Sequence, residues 1–453
     1  MHEMAMNQIQ SKSQVQANIV AEFFIKNGMH HETIDFNKNV NIFIKEMENG
    51  LAAKPSSLPM IPTYISMEDN VPANEPVIVI DAGGTNLRIA LVHFDDAGKP
   101  VVSDFSNYPM PGTHGEIDKE IFFQMMADYV IPLLSKSNKI GFCFSYPTEI
   151  QPNKDGRLLF FTKEVKVKGM DGELVGEGLL RAIEAKGYKK PDRIVLLNDT
   201  VATLLGGRAA YPDRIFDGFV GFILGTGTNT CYVENKRNIT KLSDISGQDG
   251  NMLINVESGG YEKAPRGLFD EAFDSSTVNP GRYAFEKMIS GGYQGGLFYT
   301  IITKTVDAGL FSEHFVNSYS MLNTLVSKDI DDFLYYPKSE KSILAMCCGL
   351  HDTDTARNDR FVLYHIIDIV IERAAKLTAI NLAAAVIKSG KGFDPLFPVC
   401  IAADGSTFYK SKLFRGKLDF YISKHLNQER GLYCEFVKAD NANLIGTAIA
   451  GLM

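Results

Sequence analysis

Residues 77–94 read VIVIDAGGTNLRIALVHF, two apolar runs joined by a short turn that contains Gly83 and Gly84. Far downstream, residues 219–234 read FVGFILGTGTNTCYVE and repeat the pattern. Each stretch predicts a strand, a tight turn and a second strand, and both turns carry Gly-Thr-Asn. We interpret the recurrence as an internal duplication, so we expect a chain built from two related halves.

The segments around these units alternate between strand and helix patterns. Residues 139–147 (KIGFCFSYP) and 193–199 (RIVLLND) predict buried strands, whereas residues 171–186 and 200–210 predict helices. From Pro280 onward most segments predict helices. The alternation indicates an α/β protein with two lobes, the second enlarged by helices.

The bulk composition narrows the class of protein. Of the 453 residues 45% are hydrophobic, which is ordinary for a globular protein with a large core. The formal net charge of −8 argues against a nucleic-acid-binding protein, which would carry a basic face. The six cysteines form no C-x-x-C pair, so a structural zinc site is not expected. The N-terminal residues lack the pattern of a signal peptide, and there is no uncharged apolar run of membrane-spanning length. We expect a cytoplasmic protein in a reducing compartment, without membrane contact.

The two glycine turns are candidate phosphate-binding loops. A phosphate chain needs several backbone N–H groups that converge without intervening side chains, and glycine permits that approach. Asp81, at the end of the first strand, is a candidate to hold Mg²⁺ through water, and Arg88 is a candidate to contact a phosphate oxygen. Two ordinary hairpins would have the same turns. The G-x-x-x-x-G-K-[ST] string of a Walker P-loop does not occur in the sequence. A Rossmann G-x-G-x-x-G motif that opens a helix is also absent, because these turns lead into strands.

Asp199 is a candidate catalytic base. It follows an apolar strand and opens a helix, a position at the carboxyl edge of a sheet where α/β proteins bind ligands. Taken alone it would equally be read as a helix N-cap. Other polar residues beside apolar runs suit recognition of a polyol, although surface roles would also fit them: Ser145, Thr162, Lys163, Asn229, Glu257 and Glu286.

These motifs together resemble the ATP-dependent hexokinases, of the actin-like sugar kinase and heat-shock chaperone superfamily. VIVIDAGGTNLRIALV and ILGTGTNTCYVE are similar to the two phosphate motifs, and LLNDTVATLL resembles the catalytic-aspartate segment. IGFCFSYP followed by FTK resembles the family signature, and INVESGG and NPGRYAFEKMISGGYQGGL resemble the two sugar-binding glutamate segments. IAADGSTFYKS resembles the adenosine motif. The matches run in order from about residue 75 to the C-terminus.

The resemblance implies two actin-like (ribonuclease H-like) lobes with a cleft between them, the larger lobe rich in added helices. It implies a small lobe of residues 76–201 and 441–453 and a large lobe of residues 1–75 and 202–440. The implied hexose ligands are Ser145, Thr162, Lys163, Asn198, Asp199, Asn229, Glu257 and Glu286. The implied ATP-binding residues are Asp81, Gly83, Gly84, Thr85, Asn86, Arg88, Gly225, Thr226, Gly227, Thr228, Gly405 and Ser406.

The implied reaction is phosphorylation of the 6-hydroxyl of a hexose, glucose above all, by MgATP at the entry to glycolysis. Asp199 would take the hydroxyl proton and Lys163 would neutralise developing charge. The chain departs from the family where Phe161 and Ser258 replace tryptophans, where Glu164-Val165 replaces Gly-Phe, and at Cys143. A preference for fructose, mannose or an amino sugar therefore stays open, as does a hexose sensor without turnover.

Overall fold

The computed structural model describes residues 2–68, 70–161 and 165–453. Its strands are β1 Ile61–Pro62, β2 Val77–Ala82, β3 Asn86–Phe94, β4 Pro100–Pro109, β5 Ile117–Asp118, β6 Lys139–Phe144, β7 Thr148–Ile150, β8 Gly156–Leu158, β9 Val167–Lys168, β10 Arg193–Leu197, β11 Gly218–Leu224, β12 Thr228–Asn235, β13 Asn251–Asn255, β14 Val399–Asp404 and β15 Cys434–Val437. Its α-helices are α1 His2–Lys26, α2 Phe36–Leu51, α3 Lys119–Val130, α4 Val175–Ala185, α5 Asp199–Ala210, α6 Leu268–Ser276, α7 Ala284–Ile289, α8 Gly291–Asp307, α9 Glu313–Tyr319, α10 Ser327–Tyr335, α11 Ile343–Cys348, α12 Asp354–Ser389, α13 Ser406–Lys410, α14 Phe414–Ile422 and α15 Ala442–Leu452.

The two glycine turns are the tips of two antiparallel hairpins, as the sequence predicts. In the first hairpin Asp81 pairs with Arg88, and in the second Leu224 pairs with Thr228. The first hairpin belongs to a five-stranded sheet of order β10-β6-β2-β3-β4, and the second to a six-stranded sheet of order β1-β13-β12-β11-β14-β15.

Five strands of the six-stranded sheet repeat the five-stranded sheet in order and direction, and β1 is an addition at its edge. In each, the first strand of the hairpin has its antiparallel partner on one side and a parallel strand on the other, β6 beside β2 and β14 beside β11. The next strand outward on each side also matches, because β4 and β13 are antiparallel and β10 and β15 are parallel. The repeated topology supports the internal duplication that the glycine turns predict.

Two helices, α5 and α15, pack against each other between the sheets. Helix α5 contacts β11 and β14 of the six-stranded sheet, while α15 contacts β2 and β6 of the five-stranded sheet. The helix backbones approach very closely: a Cβ atom built on Gly446 would lie 1.8 Å from the carbonyl oxygen of Ala202. Glycine is required there because any side chain would overlap the neighbouring backbone.

The core beside the six-stranded sheet is built on α12, whose apolar side chains are buried for most of its length. Arg373 of this helix is only 1% exposed and makes a two-pronged ion pair with Asp270 of α6, at 3.0 and 2.5 Å. Among the residues that the structure describes, we find no helix both long enough and apolar enough to span a membrane.

Helix α4 begins later than the sequence predicts. The sequence predicts a helix from residue 171, but Gly172 has a φ of 83° and turns the chain, and the helix starts at Val175. A residue outside the helix accepts hydrogen bonds from its first N–H groups: the Asp155 carboxylate accepts from Gly176 N at 2.7 Å and from Glu177 N at 2.9 Å. A cap supplied by another part of the chain leaves no local signal.

Candidate active site

A cavity of about 260 Å³ lies where the ends of β10 and β13 meet the segment around β1. Asn198, which follows β10, lines it on one side, and Asn255 and Glu257 line it on the other. Tyr283 completes this part of the wall. Two of the predicted hexose ligands, Asn198 and Glu257, therefore face the same space.

Side-chain amides converge on the Glu257 carboxylate. The Nδ2 atoms of Asn229 and Asn255 donate to Glu257 Oε1 at 3.0 and 2.7 Å, and Asn229 Nδ2 also donates to Asn255 Oδ1 at 2.8 Å. Among the described residues none donates to Oε2 of Glu257, so that oxygen keeps its capacity to accept from a ligand hydroxyl.

The backbone of Glu257 is in the left-handed region, with φ 56° and ψ 47°. A residue other than glycine held there costs roughly 1–3 kcal/mol, and such residues cluster at functional sites. The surrounding hydrogen bonds hold it, because Ser258 N donates to Asn229 Oδ1 at 3.3 Å and the amides fix the carboxylate. Loss of hydration raises the pKa of Glu257, although the hydrogen bonds from Asn255 and Asn229 oppose the shift.

Glu286, at the start of α7, contacts the second glycine turn. Its Oε2 accepts from the backbone N–H of Thr228 at 2.8 Å. The other side of this turn rests on the segment after β14: Thr407 Oγ1 donates to Gly225 O at 2.9 Å, and Ser406 N lies 3.7 Å from a Cβ built on Gly225. The structure thus brings the second predicted phosphate turn against the predicted adenosine segment.

Asp199 is the first residue of α5, but it is not the cap. The interpretation of Asp199 as a mere N-cap is wrong, because Asn198 has the N-cap position and its Oδ1 accepts from Thr200 N at 2.9 Å. The Asp199 carboxylate accepts from Thr200 Oγ1 at 3.3 Å and is half-buried. Capping is supplied by the neighbour, so the Asp199 side chain is not needed for it.

Asp81, the last residue but one of β2, has only 1% of its surface exposed and forms an ion pair with Arg88 at 2.6 Å. Burial raises the pKa of Asp81, the Arg88 charge lowers it, and the charges of Asp199 and Asp404 raise it again. Carboxylates from both sheets therefore influence one another at this point. Their excess negative charge and oxygen donors fit Mg²⁺, which proteins bind through one or two carboxylates together with substrate phosphates.

The first glycine turn is closed by its own backbone. Gly83 N donates to Asn86 O at 3.0 Å, and Asn86 Nδ2 donates to Thr85 Oγ1 at 3.1 Å. Tyr146, which also lines the cavity, donates its hydroxyl to Gly83 O at 2.7 Å. This tyrosine links the wall of the cavity to the predicted phosphate turn.

Comparison with known proteins identifies the family. Two models of the hexokinase family match the chain, over residues 24–209 and 219–453. Hexokinase-5 of Oryza sativa subsp. japonica is 31% identical over 434 residues, which are 90% of this chain and 84% of that protein. The chain belongs to the hexokinase family. It is a hexose kinase, and the family uses ATP with Mg²⁺.

Further relatives of this hexokinase agree in sequence and fold. Hexokinase-1 of Schizosaccharomyces pombe is 28% identical over 429 residues, 91% of this chain and 86% of that one. A solved hexokinase from Schistosoma mansoni, complexed with glucose, has a TM-score of 0.74 at 23% identity and covers 97% of this chain and 99% of its own. Another solved hexokinase has a TM-score of 0.71 at 22% identity. The two-lobed actin-like kinase fold is confirmed.

Some predicted site residues of this hexokinase lie elsewhere or outside the described part. Thr162 and Lys163, together with Glu164, lie outside the described residues. Ser145 follows β6 and donates its N–H to Ala82 O at 3.2 Å, so its backbone is held beside the first glycine turn.

Three parts of the cavity wall were not predicted from the sequence: Asn255, Tyr283 and the segment before β2. Asn255 had a signal, since it is a polar residue directly after the apolar residues Met252–Ile254 of a strand. No sequence pattern points to Tyr283, because its place in the cavity wall depends on how α7 packs against the loop after β13.

Proposed function

We propose that this hexokinase transfers the γ-phosphate of MgATP to the 6-hydroxyl of a hexose, with glucose as the preferred substrate. The observation that carries the proposal is the Glu257 network, which offers fixed amide and carboxylate groups at the wall of a cavity that Asn198 also lines. A polyol needs such preformed donors and acceptors, because each unpaired buried polar group costs about 1–3 kcal/mol. The glucose bound in the Schistosoma mansoni structure supports the choice of sugar.

Asp199 is proposed as the general base. Its position next to the cap Asn198, which lines the cavity, supports this role, and its carboxylate is half-buried at the start of α5. A base must lie within hydrogen-bond reach of the hydroxyl whose proton it accepts. As the hydroxyl attacks phosphorus, its proton moves to Asp199, and ADP leaves with the electron pair of the broken P–O bond. Lys163 is proposed to offset the negative charge of the transferred group.

ATP is proposed to bind against both glycine turns and Gly405-Ser406. The contact between the second turn and the 405–407 segment supports this arrangement, as do the carboxylates around Asp81. Asp81 would hold Mg²⁺, which supplies charge neutralisation for the phosphate oxygens. Phosphoryl transfer depends mainly on such positioning and electrostatics. Glycine turns that are held in place by hydrogen bonds would therefore favour the reaction.

The two sheets are proposed to belong to separate lobes, residues 76–201 with 441–453 and residues 1–75 with 202–440. Closure of these lobes on the sugar would exclude water, which otherwise competes as phosphate acceptor. We place the reaction in the cytoplasm, as the first step of sugar use in glycolysis.

The test is a panel of sugars with MgATP and ADP formation as the readout. Glucose, fructose, mannose and glucosamine are compared by kcat/KM, with 6-deoxyglucose as the matched control because it lacks the reacting hydroxyl. We expect glucose to lead, 6-deoxyglucose to give no hexose-dependent ADP, and ³¹P NMR of the product to report a 6-phosphate. A higher kcat/KM for another hexose would overturn the glucose preference, and turnover of 6-deoxyglucose would overturn the site of phosphorylation.

A further inference from the structure

One wall of the cavity is a short segment that precedes the five-stranded sheet. We call residues 56–63 the wall segment. Alternate residues in it, Ser57, Pro59, Ile61 and Thr63, line the cavity. Its end forms β1, where Ile61 pairs with Asn255, so the wall segment adjoins the strand that carries the amide network of Glu257.

The wall segment is poorly supported by its own backbone. Pro59 and Pro62 have no N–H group to donate, and Met60 has a φ of 49°, in the left-handed region. The carbonyl oxygens of Pro59 and Met60 accept no backbone hydrogen bond within the described residues. A segment of this kind needs support from elsewhere to keep one conformation.

Lys241 provides that support. Its Nζ donates to Pro59 O at 2.8 Å and to Met60 O at 2.6 Å. Its own backbone N–H donates to Leu51 O at 2.9 Å, which anchors the lysine to the end of α2 independently of the wall segment. A single amine therefore holds the two carbonyls at the strained residue.

The ammonium group of Lys241 is costly to bury. Among the described residues no carboxylate lies within ion-pair distance of this ammonium group, and burial is the one influence found on its pKa. Burial lowers the pKa of Lys241 to about 8. A half-buried cation without an acidic partner is unfavourable for folding, and the two carbonyls of the wall segment are the groups that offset this cost.

The beginning of the wall segment is held by a carboxylate. Glu46 of α2 is 8% exposed, and its Oε2 accepts from Ser57 N at 2.9 Å and from Ser57 Oγ at 2.8 Å. Ser57 Oγ in turn accepts from Glu262 N at 3.2 Å, in the loop that follows Glu257. The wall segment is thus held by the Glu46 carboxylate at Ser57, by the Lys241 amine at Pro59 and Met60, and by strand pairing at Ile61.

We propose that Lys241 is a positioning residue for hexose binding: by holding the carbonyls of Pro59 and Met60, it fixes the wall segment that lines the cavity. The inference rests on the proposed hexose site. It concerns sugar affinity, because the wall segment lines the cavity while the ATP turns lie on the two hairpins.

The experiment compares Lys241→Met, which removes the donors, with Lys241→Arg, which keeps them. We expect Lys241→Met to raise the KM for hexose by about tenfold or more, as the loss of a hydrogen bond to a charged group would. The KM for MgATP should stay within about twofold, and Lys241→Arg should recover most of the sugar affinity. Lys45→Met, which removes an exposed lysine next to Glu46, is the control and should leave both constants unchanged.

An unchanged hexose KM in Lys241→Met would overturn the proposal, and so would an equal rise in both KM values together with a lower thermal midpoint. If Lys241→Met does not fold, Glu46→Gln tests the same wall from its other end, and an unchanged hexose KM there would also overturn it. Glu257→Gln distinguishes a failure of the proposed sugar site from a failure of the inference about Lys241. If it leaves the hexose KM unaltered, the proposed sugar site is wrong; if it raises the KM while Lys241→Met does not, only this inference is wrong.

Discussion

Glu286 Oε2 accepts a hydrogen bond from the backbone N–H of Thr228 at 2.8 Å. A carboxylate expected in the sugar site is therefore bonded directly to a turn expected to bind phosphate. Movement of either group would move the other, so the structure couples the two proposed substrate sites through one hydrogen bond.

Gly227→Ala should disturb this coupling. A Cβ at Gly227 would lie 2.6 Å from Glu286 Oε2, at the far end of a flexible side chain, so the carboxylate should move and lose its hydrogen bond to Thr228 N. We expect kcat/KM for hexose to fall about 10–100-fold, because this is the factor that corresponds to the free energy of a hydrogen bond to a charged group. The thermal midpoint should change little. Gly416→Ala, where an added Cβ meets nothing within 4 Å, is the control. Wild-type kinetics in Gly227→Ala would contradict the coupling.

Asp199→Asn should abolish base catalysis while leaving the helix cap intact, because Asn198 supplies the cap. We expect kcat to fall by about 10²–10⁴-fold. Hexose binding, followed by calorimetry, should change much less. Asp213→Asn, an exposed acid shortly after the same helix, should behave as wild type. Near-normal turnover in Asp199→Asn would remove it from the base role.

The pH dependence of sugar binding should reflect Glu257. Burial raises its pKa, so as pH falls the carboxylate is protonated earlier than an ordinary glutamate and the hexose KM should rise. Glu257→Gln should bind hexose more weakly and flatten this acid limb. If the hexose KM of Glu257→Gln rises at acid pH as it does in the wild type, the group that titrates is not Glu257.

Glu257 should also reduce stability at neutral pH. Because its folded pKa is raised above the unfolded value, its contribution to stability is fully present below the unfolded pKa and is lost as pH rises through the folded pKa. Glu257→Gln should therefore gain stability relative to wild type between mildly acidic pH and pH 7. Urea unfolding at both values measures the difference, and a relative loss at pH 7 would contradict it.

Arg373→Met should destabilise the protein strongly. It leaves the Asp270 carboxylate buried without its partner, and breaking a buried pair in this way costs about 3–5 kcal/mol. Arg357→Met removes a cation of the same helix that pairs with exposed acids, and should cost less than about 1 kcal/mol. Chemical unfolding midpoints compare the two, and similar midpoints would show that the buried pair contributes little.

The parts of this hexokinase that can be predicted from its sequence are those whose pattern lies in a few neighbouring residues. Glycine turns between apolar runs predict hairpins from a few neighbouring residues, and both hairpins are present. The polar residues that follow strands, Asn198, Asp199 and Glu257, were likewise found, because the end of a strand is visible in the sequence.

The rest depends on contacts between distant segments. The wall segment joins the cavity only because β1 pairs with β13, nearly two hundred residues later, through Ile61 and Asn255. Likewise Asp155 caps α4 from outside it, and Lys241 supports Pro59 across a similar distance in sequence. Such contacts follow from the tertiary arrangement, which composition and periodicity do not encode.

The close packing of α5 and α15 has a consequence for folding. One face of the five-stranded sheet is covered by α15, which is synthesised long after the strands it covers. Until those late residues arrive, the nascent sheet exposes an apolar face that includes Val77 and Val79, and contacts of such long range form slowly. We therefore expect the emerging N-terminal half to depend on chaperones during translation.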